Sequence, residues 1–165
     1  MLDGSTSFDP LKLKEDPKQI IISGTTFQYV FNKNNGLISQ IEILGDSFVK
    51  DLPIPSLYLS TEIDPRTKVY EARYEQNAKF DVIKESDEEI LIKSEGRYYD
   101  SKGNLSPMKY TITYKVDFDG VIKVSVNNTA LDNFSIRWLC FAKGAFKLDV
   151  CEYLSYLPDL SFTES

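Results

Sequence analysis

Apolar and polar residues alternate along most of this chain with the period of a β-strand. Ile20-Ile21-Ile22 is a β-branched run interrupted by Ser23-Gly24, after which Phe27, Tyr29 and Phe31 share one face. Asn32-Lys33-Asn34-Asn35-Gly36 tolerates positive φ, and Leu37 to Leu44 follows it, which predicts a hairpin. Gly45-Asp46-Ser47 turns the chain, and Pro53 and Pro55 mark an extended passage unsuited to a central strand. Shorter strands are predicted over Leu57 to Thr61, Lys68 to Arg73, Lys79 to Lys84 and Glu89 to Ser94, with Ser86-Asp87-Glu88-Glu89 as a turn. Gly96-Arg97-Tyr98-Tyr99 leads into a hairpin loop at Asp100 to Asn104.

The clearest alternation runs from Met108 to Phe118, with Tyr110, Ile112, Tyr114, Val116 and Phe118 on one side. Asp119-Gly120 signals a two-residue turn, and Val121 to Asn127 returns from it. Asn133 to Phe141 and Ala145 to Val150 read as two more strands, and Cys151 to Leu160 carries no clear pattern. Residues 1–17, charged and punctuated by Pro10 and Pro17, read as a leader or linker, and 18–165 as one β-sandwich domain. Roughly eleven or twelve strands without a convincing amphipathic helix call for two packed antiparallel sheets or a barrel.

A length of 165 residues suffices for a core without disulfide staples, and abundant Tyr (10) and Phe (10) suit sheets. The net charge of −6 gives no attraction for nucleic acid or anionic lipid, and no apolar run approaches a membrane span, so neither partner is expected. Cys140 and Cys151 are too few for a disulfide framework and read as buried thiols, with a disulfide between neighbouring strands as the alternative. Asn104-Leu105-Ser106, Asn127-Asn128-Thr129 and Asn133-Phe134-Ser135 match the glycosylation triplet, a pattern that chance often supplies.

Histidine is absent, which removes Ser-His-Asp and Cys-His nucleophile pairs, His-ligated metals and an unperturbed base near neutral pH. The glycines Gly24, Gly36, Gly45, Gly96, Gly103, Gly120 and Gly144 fall at expected turns and none has phosphate-loop spacing. No alternating acidic calcium loop occurs, so no metal or cofactor site is assigned.

Glu62 and Asp64 lie near a proline-rich bend and Glu71 and Glu75 on or beside a strand, where any could face a cleft, and all four read as solvated surface acids. Tyr70, Arg73 and Tyr74, with Arg97, Tyr98 and Tyr99, are residue types that hold sugars: rings stack on CH faces, and guanidinium forks reach hydroxyls or uronate carboxylates. Tyrosine serves cross-strand packing equally well. The single Trp138, beside Arg137, reads as a core anchor.

Taken in order, three features resemble a known arrangement: Phe27-x-Tyr29-x-Phe31-Asn32-Lys33-x-x-Gly36-Leu37-Ile38, then Pro53-Ile54-Pro55, then Tyr110-x-Ile112-x-Tyr114 leading to Asp119-Gly120-Val121-Ile122-Lys123-Val124. Over about residues 25–145 the chain resembles the galactose-mutarotase-like supersandwich, as in the last domain of family 2 β-galactosidases and accessory domains of polysaccharide lyases. The resemblance implies a large antiparallel sandwich with a concave face near a carbohydrate site, in a secreted or periplasmic glycan-degrading protein. It does not imply epimerase activity, because the family's epimerases use histidines, and Tyr58-Leu59-Ser60 stands where the β-galactosidase form has an aromatic-Arg-Ala segment.

The expectation is therefore a non-catalytic module that packs against a catalytic domain and forms part of a glycan cleft. The alternatives are a freestanding protein-interaction or structural sandwich and, third, a His-independent lyase or hydrolase built on Arg73, Arg97 and Tyr98.

Overall fold

The computed structural model describes residues 9–48, 54–59, 66 and 68–130, in which eleven strands and one 3₁₀ turn lie. The first sheet is a five-stranded antiparallel meander of β1 (Lys12–Glu15), β2 (Gln19–Ser23), β3 (Phe27–Asn32), β4 (Leu37–Ile43) and β5 (Asp46–Phe48). The second holds β6 (Ser56–Leu59), β7 (Lys68–Glu71), β8 (Lys79–Glu85), β9 (Glu89–Tyr99), β10 (Leu105–Asp117) and β11 (Ile122–Ala130) in the order β11-β10-β9-β7-β6, with β8 also paired to β9. This is the two-sheet, all-β sandwich that the alternation predicts.

The inner faces follow from period two. Ile90, Ile92, Ser94 and Tyr98 on β9, and Met108, Tyr110, Ile112, Tyr114 and Val116 on β10, meet Ile20, Ile22, Phe27, Tyr29, Phe31 and Ile41 of the first sheet in one core. Each large apolar side chain so buried contributes about 1.5–3 kcal/mol. Aromatic rings meet edge-on within this layer, Phe31 with Tyr114 at 4.9 Å and Tyr98 with Tyr110 at 5.0 Å between centroids.

Tyrosine hydroxyls fasten each sheet to a turn of the other. Tyr110 donates to the Asn35 carbonyl at 2.7 Å and Tyr114 to that of Gly36 at 2.9 Å, so the β3–β4 turn is held down on the second sheet. Tyr29 of the first sheet donates in return to the Gly120 carbonyl in the β10–β11 turn. Burial raises the pKa of all three phenols, which keeps them neutral donors. The β3–β4 turn can approach this closely because Gly36 has φ +70° and no Cβ; a Cβ there would stand 1.5 Å from Ser94 Oγ.

Several local expectations change. Residues 1–17 do not all lie outside the fold: Lys12–Glu15 pairs with β2 as an edge strand and Leu11 is buried in the core. The strand expected to reach Arg73 stops at Glu71, and Ala72–Tyr74 forms the 3₁₀ turn. Asp119-Gly120 belongs to a three-residue loop, since the Asp117 N–H bonds to the Val121 carbonyl and Gly120, at φ +85°, takes the left-handed position. Phe118 leaves the buried face there and is 44% exposed. Gly96 is not in a turn but inside β9, where the Tyr110 hydroxyl would lie 2.4 Å from any Cβ. The strands expected at Asn133 to Phe141 and Ala145 to Val150, together with Cys140, Cys151, Trp138, Glu62 and Asp64, lie outside the described residues.

Candidate functional site

Two separate stretches of sequence meet where β7 ends. Glu71 is the register partner of both Ser56 on β6 and Tyr99 on β9, and the chain then makes its 3₁₀ turn through Ala72, Arg73 and Tyr74. This pairing brings residues 70–75 against 97–99 across a gap of more than twenty positions, as the candidate set requires.

Glu75 fixes the junction. It is 3% exposed, and its Oε1 accepts the backbone N–H groups of Gln76 at 2.9 Å and Asn77 at 2.8 Å while Oε2 accepts that of Arg97 at 2.6 Å. A carboxylate so bound is tied to the backbone through both of its oxygens. The sequence reading of Glu75 as a solvated acid is corrected here. No group of three or more metal-binding side chains occurs among the described residues.

The six candidates divide by the parity of their strands. Tyr70 points inward and is buried in the core. Tyr98 also points inward, is fully buried, and donates its hydroxyl to Asn128 Oδ1; burial raises its pKa, and no face of its ring is open to a ligand. Its neighbours Arg97 and Tyr99 point to the outer face and are half-buried, as is Tyr74, whereas Arg73 is exposed. Arg73 pairs with Glu71, which raises the pKa of its guanidinium, and lies 5.7 Å from the centroid of the Tyr74 ring. Arg97 Nη2 donates to the Ser106 carbonyl at 3.0 Å, and its Nε is buried with no hydrogen-bond partner.

Four of the six, Arg73, Tyr74, Arg97 and Tyr99, thus surround the outer corner of the second sheet, on a rigid strand and a turn pinned by Glu75. The corner offers two planar cations and two half-open rings, which suits hydrogen bonding to hydroxyls or carboxylates and stacking on sugar CH faces. Lys109 on β10 stands directly opposite Arg97 and was not visible as a site residue in the sequence. Only the strand register places it there.

No model of a known protein family matches this chain, and no curated protein matches it either. No helix among the described residues is long and apolar enough to cross a membrane.

Proposed function

We propose that this chain is a non-catalytic β-sandwich module of a carbohydrate-processing protein, of the galactose-mutarotase-like kind, and that the outer corner of its second sheet contacts glycan. The observation that carries this reading is the Glu71–Tyr99 pairing, which gathers Arg73, Tyr74, Arg97 and Tyr99 at one accessible place. The nearest fully buried carboxylate, Glu75, is spent on backbone N–H groups, which favours binding over hydrolysis or elimination at this corner. A stacked ring contributes about 1 kcal/mol, so Tyr99→Ala and Tyr74→Ala should each weaken oligosaccharide binding about five- to tenfold in isothermal titration. Wild-type protein that binds neither neutral nor acidic oligosaccharides would remove the reading.

The expected packing against a partner domain finds support elsewhere. Ile43, Leu44 and Phe48, on or between β4 and β5, are 39%, 78% and 47% exposed, far from the polar character of the glycan corner. The same residues favour the second reading, a protein-interaction sandwich, and substituting them with serine separates the two: glycan affinity should not change.

A further inference from the structure

The β9–β10 hairpin begins in one register and continues in another. Asp100 bonds to Asn104 and Tyr99 stands opposite Leu105. Continued without interruption, that register would set Arg97 opposite Pro107 and Glu95 opposite Lys109, a favourable pair of opposite charges. Instead β10 bulges over Ser106, Pro107 and Met108, and Lys109 faces Arg97 while Glu95 faces Thr111. Pro107 has no N–H to give the ladder, and the Ser106 hydroxyl bonds within the bulge to Met108. On the inner face the shift sets Tyr110 opposite Gly96, where a Cβ would collide with the Tyr110 hydroxyl end.

On the outer face the shift sets two cations opposite each other, a like-charge pairing that costs stability and that Glu95 offsets only through the longer-range pull of its charge on Lys109. Each neighbouring carboxylate makes its direct contact elsewhere: Glu71 with Arg73, Glu95 with Lys93 at 2.8 Å, and Glu75 with backbone N–H groups. Among the described residues neither Arg97 nor Lys109 forms an ion pair, and the buried Arg97 Nε has no acceptor. Thr129, opposite Lys109 on β11, and Tyr99, beside Arg97, flank the pair.

We infer that Arg97 and Lys109 form a subsite for the anionic substituent of an acidic sugar, a uronate carboxylate or a sulfate ester. The inference deepens the glycan-module reading and rests on it. A guanidinium anchored through Nη2 to the Ser106 carbonyl and an exposed ammonium on the adjacent strand bring two positive charges to bear on one small anion. The overall charge of −6 does not oppose this, because screening over about 8 Å at physiological ionic strength leaves the local pair in control.

The test is titration of the full chain with trigalacturonate, with an uncharged galactotriose, and with a chondroitin sulfate tetrasaccharide before and after desulfation. Trigalacturonate should bind more tightly than galactotriose, and the preference should shrink as ionic strength rises. Lys109→Glu, on an exposed side chain, should lower acidic-sugar affinity at least about tenfold and leave galactotriose unchanged. Lys123→Glu, elsewhere on β11, should change neither. Arg97→Lys, which keeps a charge for the bulge, should weaken acidic-sugar binding by a smaller factor than Lys109→Glu. Binding lost on desulfation assigns the anion to sulfate, and binding retained assigns it to carboxylate. Equal affinity for charged and uncharged sugars, or a Lys109→Glu variant that binds acidic sugar as well as wild type, would overturn the subsite while leaving the glycan module standing. Failure of every sugar to bind would remove both.

Discussion

Tyr98 and Tyr99 are adjacent in the chain and live in opposite circumstances. Tyr98 lies inside the sandwich, fully buried, with its hydroxyl on Asn128; Tyr99 lies on the outer face, half-open, beside Arg97 and opposite Glu71. The same contrast separates the inter-sheet layer, where Tyr29, Tyr110 and Tyr114 tie turns across the core, from the outer corner, where Tyr74 and Arg73 lie together. One residue type serves cohesion on one side of a strand and is left available on the other. Strand parity, not residue type, decides which.

The sharpest way to break this contrast is to strike the inner layer at Gly36. Gly36→Ala forces a Cβ onto Ser94 and a side chain into positive φ, so the sheets must part locally. We expect a loss of about 3 kcal/mol or more in urea unfolding, or failure to fold, with no variant of the outer corner approaching it. Glu75→Gln comes next: it removes the charge that three backbone N–H groups share, and should cost about 1.5–3 kcal/mol. Because it also loosens the corner, it is the one substitution expected to reduce both stability and glycan affinity.

Tyr114→Phe leaves the Gly36 carbonyl without its donor and should cost about 1–2 kcal/mol, whereas Tyr99→Phe should change stability by less than about 0.5 kcal/mol. Equal losses for the two, measured by the same unfolding curve, would erase the distinction between the faces.

The smallest effect is electrostatic. Glu89 is held down to about 2 from an ordinary 4.5 by Lys115 and Lys84. A depressed acid stabilises the folded state above its unfolded pKa, so this contribution is complete above about 4.5 and fades as pH falls through about 2. The pair is solvent-exposed and salt-screened, so the effect on stability is slight. An NMR titration of Glu89 should find a midpoint well below 4.5, moving up towards that value in Lys115→Ala.

The sandwich was legible because alternation is a local property. The inward side of β10, from Tyr110 to Val116, can be read directly, whereas the inward position of Tyr98 follows only once β9 is known to run unbroken through Gly96, where the sequence suggests a turn. Three things were not legible. The bulge that moves Lys109 from Glu95 to Arg97 goes with the seating of Tyr110 over Gly96, a contact between strands. The burial of Glu75 depends on N–H groups from a 3₁₀ turn and a distant strand meeting its two oxygens. The inclusion of Lys12–Glu15 rests on pairing with β2, which a short charged segment does not announce. Each is set by register or by a non-local hydrogen bond, on which hydrophobic periodicity is silent.

The most direct test of the division between faces is an NMR titration of isotope-labelled protein with a neutral and an acidic oligosaccharide, following every assigned amide of both sheets. Saturable shifts should be confined to residues around Arg73, Tyr74, Arg97, Tyr99 and Lys109, with the amides flanking Tyr29, Tyr114 and Ile41 unmoved. Shifts centred on the β4–β5 hairpin instead, or no saturable shift with either sugar, would contradict that division.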